Sequence, residues 1–214
     1  MIITYYGAEF FKVQFGETVL AFNPVSKDSK LKGTRFGADI AVVSINHKDM
    51  NGVEQLSFGE RKPIVIDGPG EYEVKEIFIE GWKSQSSYGG DIKINTSYSV
   101  TMEGMTLCFL GALENEKALP PQMLQSMEEG IDILFVPIGG EGVLTPSDAY
   151  KLAVKLEPKI IIPMHYNIQS ADKSNLKTFL KEAGEENLKA VDKLTLKKKD
   201  LEGKEADVVV LAES

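Results

Sequence analysis

Val42-Val43-Ser44-Ile45-Asn46-His47-Lys48-Asp49-Met50-Asn51-Gly52 is the stretch on which the reading of this chain turns. An apolar run passes through it to a histidine, and a carboxylate follows two residues later. The chain has one other histidine, His165, which closes a second apolar run, Ile160-Ile161-Ile162-Pro163-Met164. Two strand-like runs that each finish on an imidazole place a site where strands stop, the usual position for ligands in open α/β sheets.

Outward from that stretch, the first half reads mostly as strands. Ile2 to Tyr6 is apolar and aromatic, and Gly7 breaks it. Glu9 to Phe15 alternates, with Phe11, Val13 and Phe15 on one face, and Gly16-Glu17 turns the chain into Thr18 to Phe22. Asn23-Pro24 closes that strand, and an exposed loop rich in Lys and Ser runs to Lys32. Ala38 to Ile45 and Pro63 to Ile66 are continuous apolar strands, the second stopped by Asp67-Gly68-Pro69-Gly70. Further strands are expected at Ile77 to Trp82, Ile94 to Met102 and Met105 to Leu110, the last two joined at Glu103-Gly104.

The second half alternates helix and strand. Pro120-Pro121 opens a helix with Met123, Leu124 and Met127 inward, and Gly130 ends it. Methionines at that spacing fill a core. Ile131 to Ile138 is a strand. Thr145-Pro146-Ser147-Asp148 then supplies a hydroxyl cap, a proline at the first helical position and a carboxylate in the first turn. Ala149, Leu152, Ala153 and Leu156 form one buried stripe. Leu176, Phe179, Leu180 and Ala183 repeat the spacing, and Gly184 stops it. Two short strands, Lys193 to Lys197 and Asp207 to Leu211, end the chain. Strands followed by alternating strand and helix predict sheets covered by helices.

With 214 residues, 43% of them apolar, the chain can bury a sizeable core, and one domain over 1–214 is expected. The net charge of −8 argues against nucleic acid or an anionic membrane as partner. There is no leader of signal type, no apolar run approaches the roughly 20 residues that span a bilayer, and the lone Cys108 cannot form an internal disulfide. Together these predict a cytoplasmic protein. Cys108 sits in a buried-strand pattern and reads as a small core residue, and Lys197-Lys198-Lys199 reads as a solvated turn.

Across nearly its whole length the chain resembles the metallo-β-lactamase superfamily, in the branch of small metal-dependent hydrolases similar to the ascorbate-phosphate lactonase. The segments that carry the resemblance are Ile45-Asn46-His47-Lys48-Asp49-Met50, at the place of a His-x-His-x-Asp-His motif, Gly68-Pro69-Gly70-Glu71-Tyr72-Glu73-Val74, Val136-Pro137-Ile138-Gly139-Gly140 and Pro163-Met164-His165-Tyr166. The resemblance implies a four-layer αββα sandwich of the α/β (α+β) class, with one or two metal ions at the sheet edge. Such ions lower the pKa of a bound water from about 15.7 towards 7 and so supply hydroxide at neutral pH.

The sequence departs from that pattern at the ligands. Ile45 and Met50 stand where the motif has histidines, Ser86 and Ser87 near the usual His-Asp pair, Ala112 where a bridging aspartate is implied, and Asn23 where an aspartate often precedes the proline. Two histidines cannot supply the lost imidazoles, so the complete two-metal site is absent. His47, Asp49 and His165 remain. They are numerically enough for one zinc or a facial-triad iron site. In the family, however, their counterparts are divided between two ions about 3.5–4 Å apart.

The cofactor expectation is therefore one divalent ion, zinc ahead of iron or manganese, or none. Two functions follow. One is a protein altered as a hydrolase that binds a small molecule or assembles, with a homo-oligomer plausible through open sheet edges. The other is a hydrolase using one ion and an activated water, with Asp49 and His165 as catalytic candidates. Structural alternatives stand beside these roles. His47 can be a satisfied loop histidine, Asp49 can cap a helix beginning near Asn51, and His165 can bond Asp49. Glu71 and Glu73 share a face at a turn and read as loop structure before pocket. Trp82 and Tyr88 either line a pocket or pack a loop. No Gly-x-Ser-x-Gly elbow occurs, and Gly139-Gly140 lacks the spacing of a phosphate or dinucleotide loop.

Overall fold

The computed structural model describes residues 1–126, 130–166, 168 and 174–214, so Met127, expected inward on the first helix, lies outside the described residues. In chain order the strands are β1 (Ile2–Tyr5), β2 (Phe11–Phe15), β3 (Thr18–Phe22), β4 (Ile40–Val42), β5 (Ile64–Ile66), β6 (Gly70–Val74), β7 (Ile77–Ser86), β8 (Lys93–Met102), β9 (Met105–Phe109), β10 (Ile133–Pro137), β11 (Ile160–Met164), β12 (Leu194–Thr195) and β13 (Asp207–Val208). The helices are α1 (Pro121–Ser126), α2 (Pro146–Leu156) and α3 (Ser174–Glu182).

Two mixed sheets result. One has the order β12-β1-β2-β3-β4-β5 and the other β13-β11-β10-β9-β8-β7-β6. In the first, β3, β4 and β5 are parallel; in the second, β9, β10, β11 and β13 are.

Alternation along the strands builds the sandwich. In β3, Leu20 and Phe22 belong to the main core while Val19 and Ala21 belong to a second cluster on the sheet's other face. Between the sheets, Phe22 stacks on Phe109 at 4.4 Å between ring centroids, and Phe11 meets Phe135 edge-on at 4.8 Å. The outer face of the first sheet is closed by Phe10, Val25, Ala38, Ala41 and Leu56, with a 3-10 turn at Val53–Leu56. On the second sheet, α2 and α3 bring Ala149, Leu152, Ala153, Leu176, Phe179 and Leu180 into the core. Thr145 caps α2 as expected, its hydroxyl accepting from the Asp148 N–H at 3.2 Å, with Pro146 at the first position. This is the α+β sandwich of the expected class.

The strands expected over Ala38–Ile45, Lys193–Lys197 and Asp207–Leu211 are shorter, at Ile40–Val42, Leu194–Thr195 and Asp207–Val208, and two further elements differ in kind or extent. Gly70–Val74, expected as loop around Glu71 and Glu73, is an edge strand paired antiparallel to β7. β7 also runs on to Ser86, past Trp82, through residues too polar to read as a strand. Their polarity is satisfied inside the sheet. The Asn95 amide nitrogen donates to Ser84 Oγ at 2.8 Å and to the Leu110 carbonyl at 2.9 Å, and Ser97 Oγ donates to the same carbonyl at 2.9 Å.

Candidate functional site

β4 feeds into the loop that carries His47 and Asp49, and His165 directly follows β11; both histidines meet at the ring of Tyr88. The Asp49 carboxylate is nearly buried. Ser29 Oγ donates to its Oδ1 and Tyr88 Oη donates to its Oδ2 at 2.8 Å. His47 Nδ1 is 3.5 Å from Asp49 Oδ2 and accepts from the Asp49 N–H at 3.3 Å. Burial pushes the His47 pKa below its ordinary value, opposed by the Asp49 carboxylate and aided by Lys93 and Lys48. The ring is thereby kept neutral at pH 7.

Tyr88 joins the two histidines. It is 5% exposed, and its ring touches both imidazoles edge-on, with centroids 4.9 Å from His47 and 4.8 Å from His165. Burial, reinforced by the bond to Asp49, raises its phenol pKa, so it stays a proton donor. Its loop is tied down by the Tyr88 N–H to Ser86 Oγ at 3.1 Å and the Ser87 N–H to the Gly142 carbonyl at 3.2 Å. A Cβ on Gly142 would lie 2.5 Å from the Tyr88 nitrogen, so only glycine allows that approach. The two serines that stand near the expected His-Asp pair are part of this anchoring: Ser86 donates to the Gly142 carbonyl and Ser87 to Glu114.

His165 turns inward. It sits in the left-handed region at φ 62°, and its Nδ1 is 2.6 Å from Glu9 Oε1. Both side chains are buried, at 3% and 0% exposure. The other Glu9 oxygen accepts from Asn23 Nδ2 at 2.6 Å. Asn23 also donates to Ser44 Oγ and accepts from the Ser44 N–H at 2.7 Å. Asn23 is therefore the hub of a closed polar network joining β3, the end of β4 and the end of β11. Gly139 makes room for it, since a Cβ there would lie 2.6 Å from His165 Cδ2.

The remaining departures from the ligand motif lie together. Ile45, Met50 and Ala112 pack with Tyr88 and Val143 into one buried apolar cluster, with Ile168 against it. The bond expected from His165 to Asp49 is not formed, because Glu9 holds the imidazole on its Nδ1 side. Asp49 does not cap a helix either; the 3-10 turn starts from Gly52 with no side-chain bond. Glu71 and Glu73 lie on the edge strand β6 and are not brought to this site.

A family of this kind implies a divalent ion, and the donor set can be tested against one. Such a site needs three or more imidazole and carboxylate donors converging on one point, with a position left for water. Here both Asp49 oxygens are taken by hydroxyl donors, and a phenol ring lies against both imidazoles. Among the described residues no group of three or more His, Cys, Asp or Glu side chains is gathered as an ion requires. As arranged, these residues do not fit a resident ion. Sequence reasoning missed Glu9, whose position at the start of an alternating strand gives no sign that it is buried. It also left Tyr88 undecided, since a loop tyrosine before two glycines fits exposure equally well.

Comparison with known proteins agrees with the fold. A β-lactamase superfamily domain model matches residues 2–165. A UPF0173 metal-dependent hydrolase of Ligilactobacillus salivarius is 27% identical over 209 residues, covering 86% of this chain and 94% of the relative. One of Lysinibacillus sphaericus is 25% identical over 78% and 86%. A metallo-β-lactamase superfamily protein of Thermotoga maritima, known as a crystal structure, superposes with a TM-score of 0.75 at 28% identity, covering 98% of this chain and 97% of that one. The chain is thus a small member of the metallo-β-lactamase superfamily, akin to the UPF0173 metal-dependent hydrolases.

Proposed function

We propose that this protein keeps the metallo-β-lactamase scaffold but is altered as a hydrolase, and acts by binding a small molecule or by assembly, in a reducing compartment such as the cytoplasm. The observation that carries this reading is the packing of Ile45, Met50 and Ala112, which stand where the resemblance implies ligands, with Tyr88 into one apolar cluster. A hydrated ion needs polar company there, and stripping its water against apolar walls is costly. The other reading, a hydrolase with one zinc, iron or manganese ion on His47, Asp49 and His165, draws support from the metal-dependent hydrolases among the relatives. It requires Tyr88 to leave and Asp49 to exchange its hydroxyl donors for the ion.

Elemental analysis of protein purified without chelator separates the two readings. The expected result is substoichiometric metal and an unchanged melting temperature in EDTA. One equivalent of zinc, iron or manganese, lost in His165→Ala, overturns the proposal in favour of the hydrolase.

A further inference from the structure

The loop that turns His47 and Asp49 inward turns Asn46 and Asn51 the other way. These two side chains, with Val43, Val53, Val65 and Asp67, line an open cleft of about 390 Å³. Small-molecule sites span about 300–1,000 Å³. The cleft lies outside the carboxyl ends of β4 and β5, two neighbouring parallel strands: Val43 follows one and Asp67 the other.

Its polar groups are incompletely used. Among the described residues, nothing forms a hydrogen bond or ion pair with the Asp67 carboxylate. Asn51 Nδ2 donates to Asn46 Oδ1 at 2.6 Å, which leaves one amide NH2 and one amide oxygen for a ligand. The three valines supply apolar walls, and Val65 is 44% exposed, so apolar surface is already open to water there.

We propose that this cleft is a binding site for a short aliphatic amine that also carries a hydroxyl group. The ammonium would meet Asp67 and the Asn51 amide oxygen, the hydroxyl would accept from the Asn46 amide, and the methylenes would lie on Val43, Val53 and Val65. A chain of net charge −8 favours a cationic ligand over an anionic one. The proposal rests on the small-molecule-binding reading above and gives it a location distinct from the Tyr88 site.

The test is titration of isotope-labelled full-length protein with 4-aminobutan-1-ol, butane-1,4-diol and butanoate, followed by amide chemical shifts. Saturable shifts confined to residues 43–53 and 65–67 are expected with the amino alcohol, at least tenfold weaker with the diol and none with butanoate. Asp67→Asn is expected to weaken the amino alcohol tenfold or more, while Glu103→Gln, a carboxylate on a distant turn, leaves it unchanged. Equal binding of diol and amine, or no effect of Asp67→Asn, overturns the proposal; so does the absence of saturable shifts. Metal analysis fails independently: one equivalent of bound metal would remove the altered-hydrolase reading and leave the titration result standing.

Discussion

The two sides of the loop from Ile45 to Gly52 show opposite treatments of the same backbone. On the inner side both Asp49 oxygens have hydroxyl partners and the apolar residues are sealed: Asp49 accepts from Ser29 and Tyr88, and Ile45 and Met50 are 2% and 0% exposed. On the outer side Asn46 is exposed, Asn51 half-buried, and Asp67 across the cleft is without a hydrogen bond or ion pair among the described residues. A satisfied, packed cluster contributes to stability, whereas polar groups left facing an open cleft do not, and remain available to a ligand. The inner side reads as structure. The outer side reads as capacity to bind.

On this contrast, substitutions on the inner side are expected to cost stability and those on the outer side are not. The largest effect is expected at Tyr88, where Tyr88→Ala removes a buried ring shared by two imidazoles and should cost about 3–5 kcal/mol in urea unfolding. Glu9→Gln keeps the shape but removes the charge facing His165, and should cost about 2–3 kcal/mol by the same measurement. Tyr88→Phe keeps the ring and deprives Asp49 of one donor, so about 1 kcal/mol is expected. A Tyr88→Ala protein as stable as the parent would break the comparison outright.

Acidification provides a finer test. Because the folded-state pKa of His47 is depressed, the folded protein binds fewer protons than the unfolded chain just below the ordinary histidine value of about 6.5. This contribution is fully present above that value and is lost as pH falls towards the folded pKa. Stability should therefore decline between about pH 6.5 and the folded value, and His47→Gln should flatten that part of the profile. Smallest of all, Asp67→Asn should leave the urea midpoint unchanged within error, since an exposed carboxylate outside any network contributes little. A clear loss of stability there would give the outer side a structural role.

The fold was legible in the sequence to the extent that it rested on period and punctuation. Thr145-Pro146-Ser147-Asp148 started a helix, and the Ile160–Met164 run was a strand ending on His165. Legibility failed where polarity and burial part company. Ser84, Asn95 and Ser97 are buried in strands because they satisfy one another across β7 and β8, which no local pattern announces. Glu71 and Glu73 read as loop because an edge strand needs no apolar alternation on its open face.

By itself, the sequence determined that the chain carries two histidines, each closing an apolar run, with an aspartate two residues after the first; that Ile45, Met50 and Ala112 stand at ligand places is what the resemblance implies. Which residue types are present is visible as letters. What each of them meets was decided only by the tertiary structure, because Glu9 lies 156 positions from His165 and Tyr88 lies 39 from Asp49. Contacts across such separations are set by how two sheets close on one another, and that closure depends on the packing of the whole core.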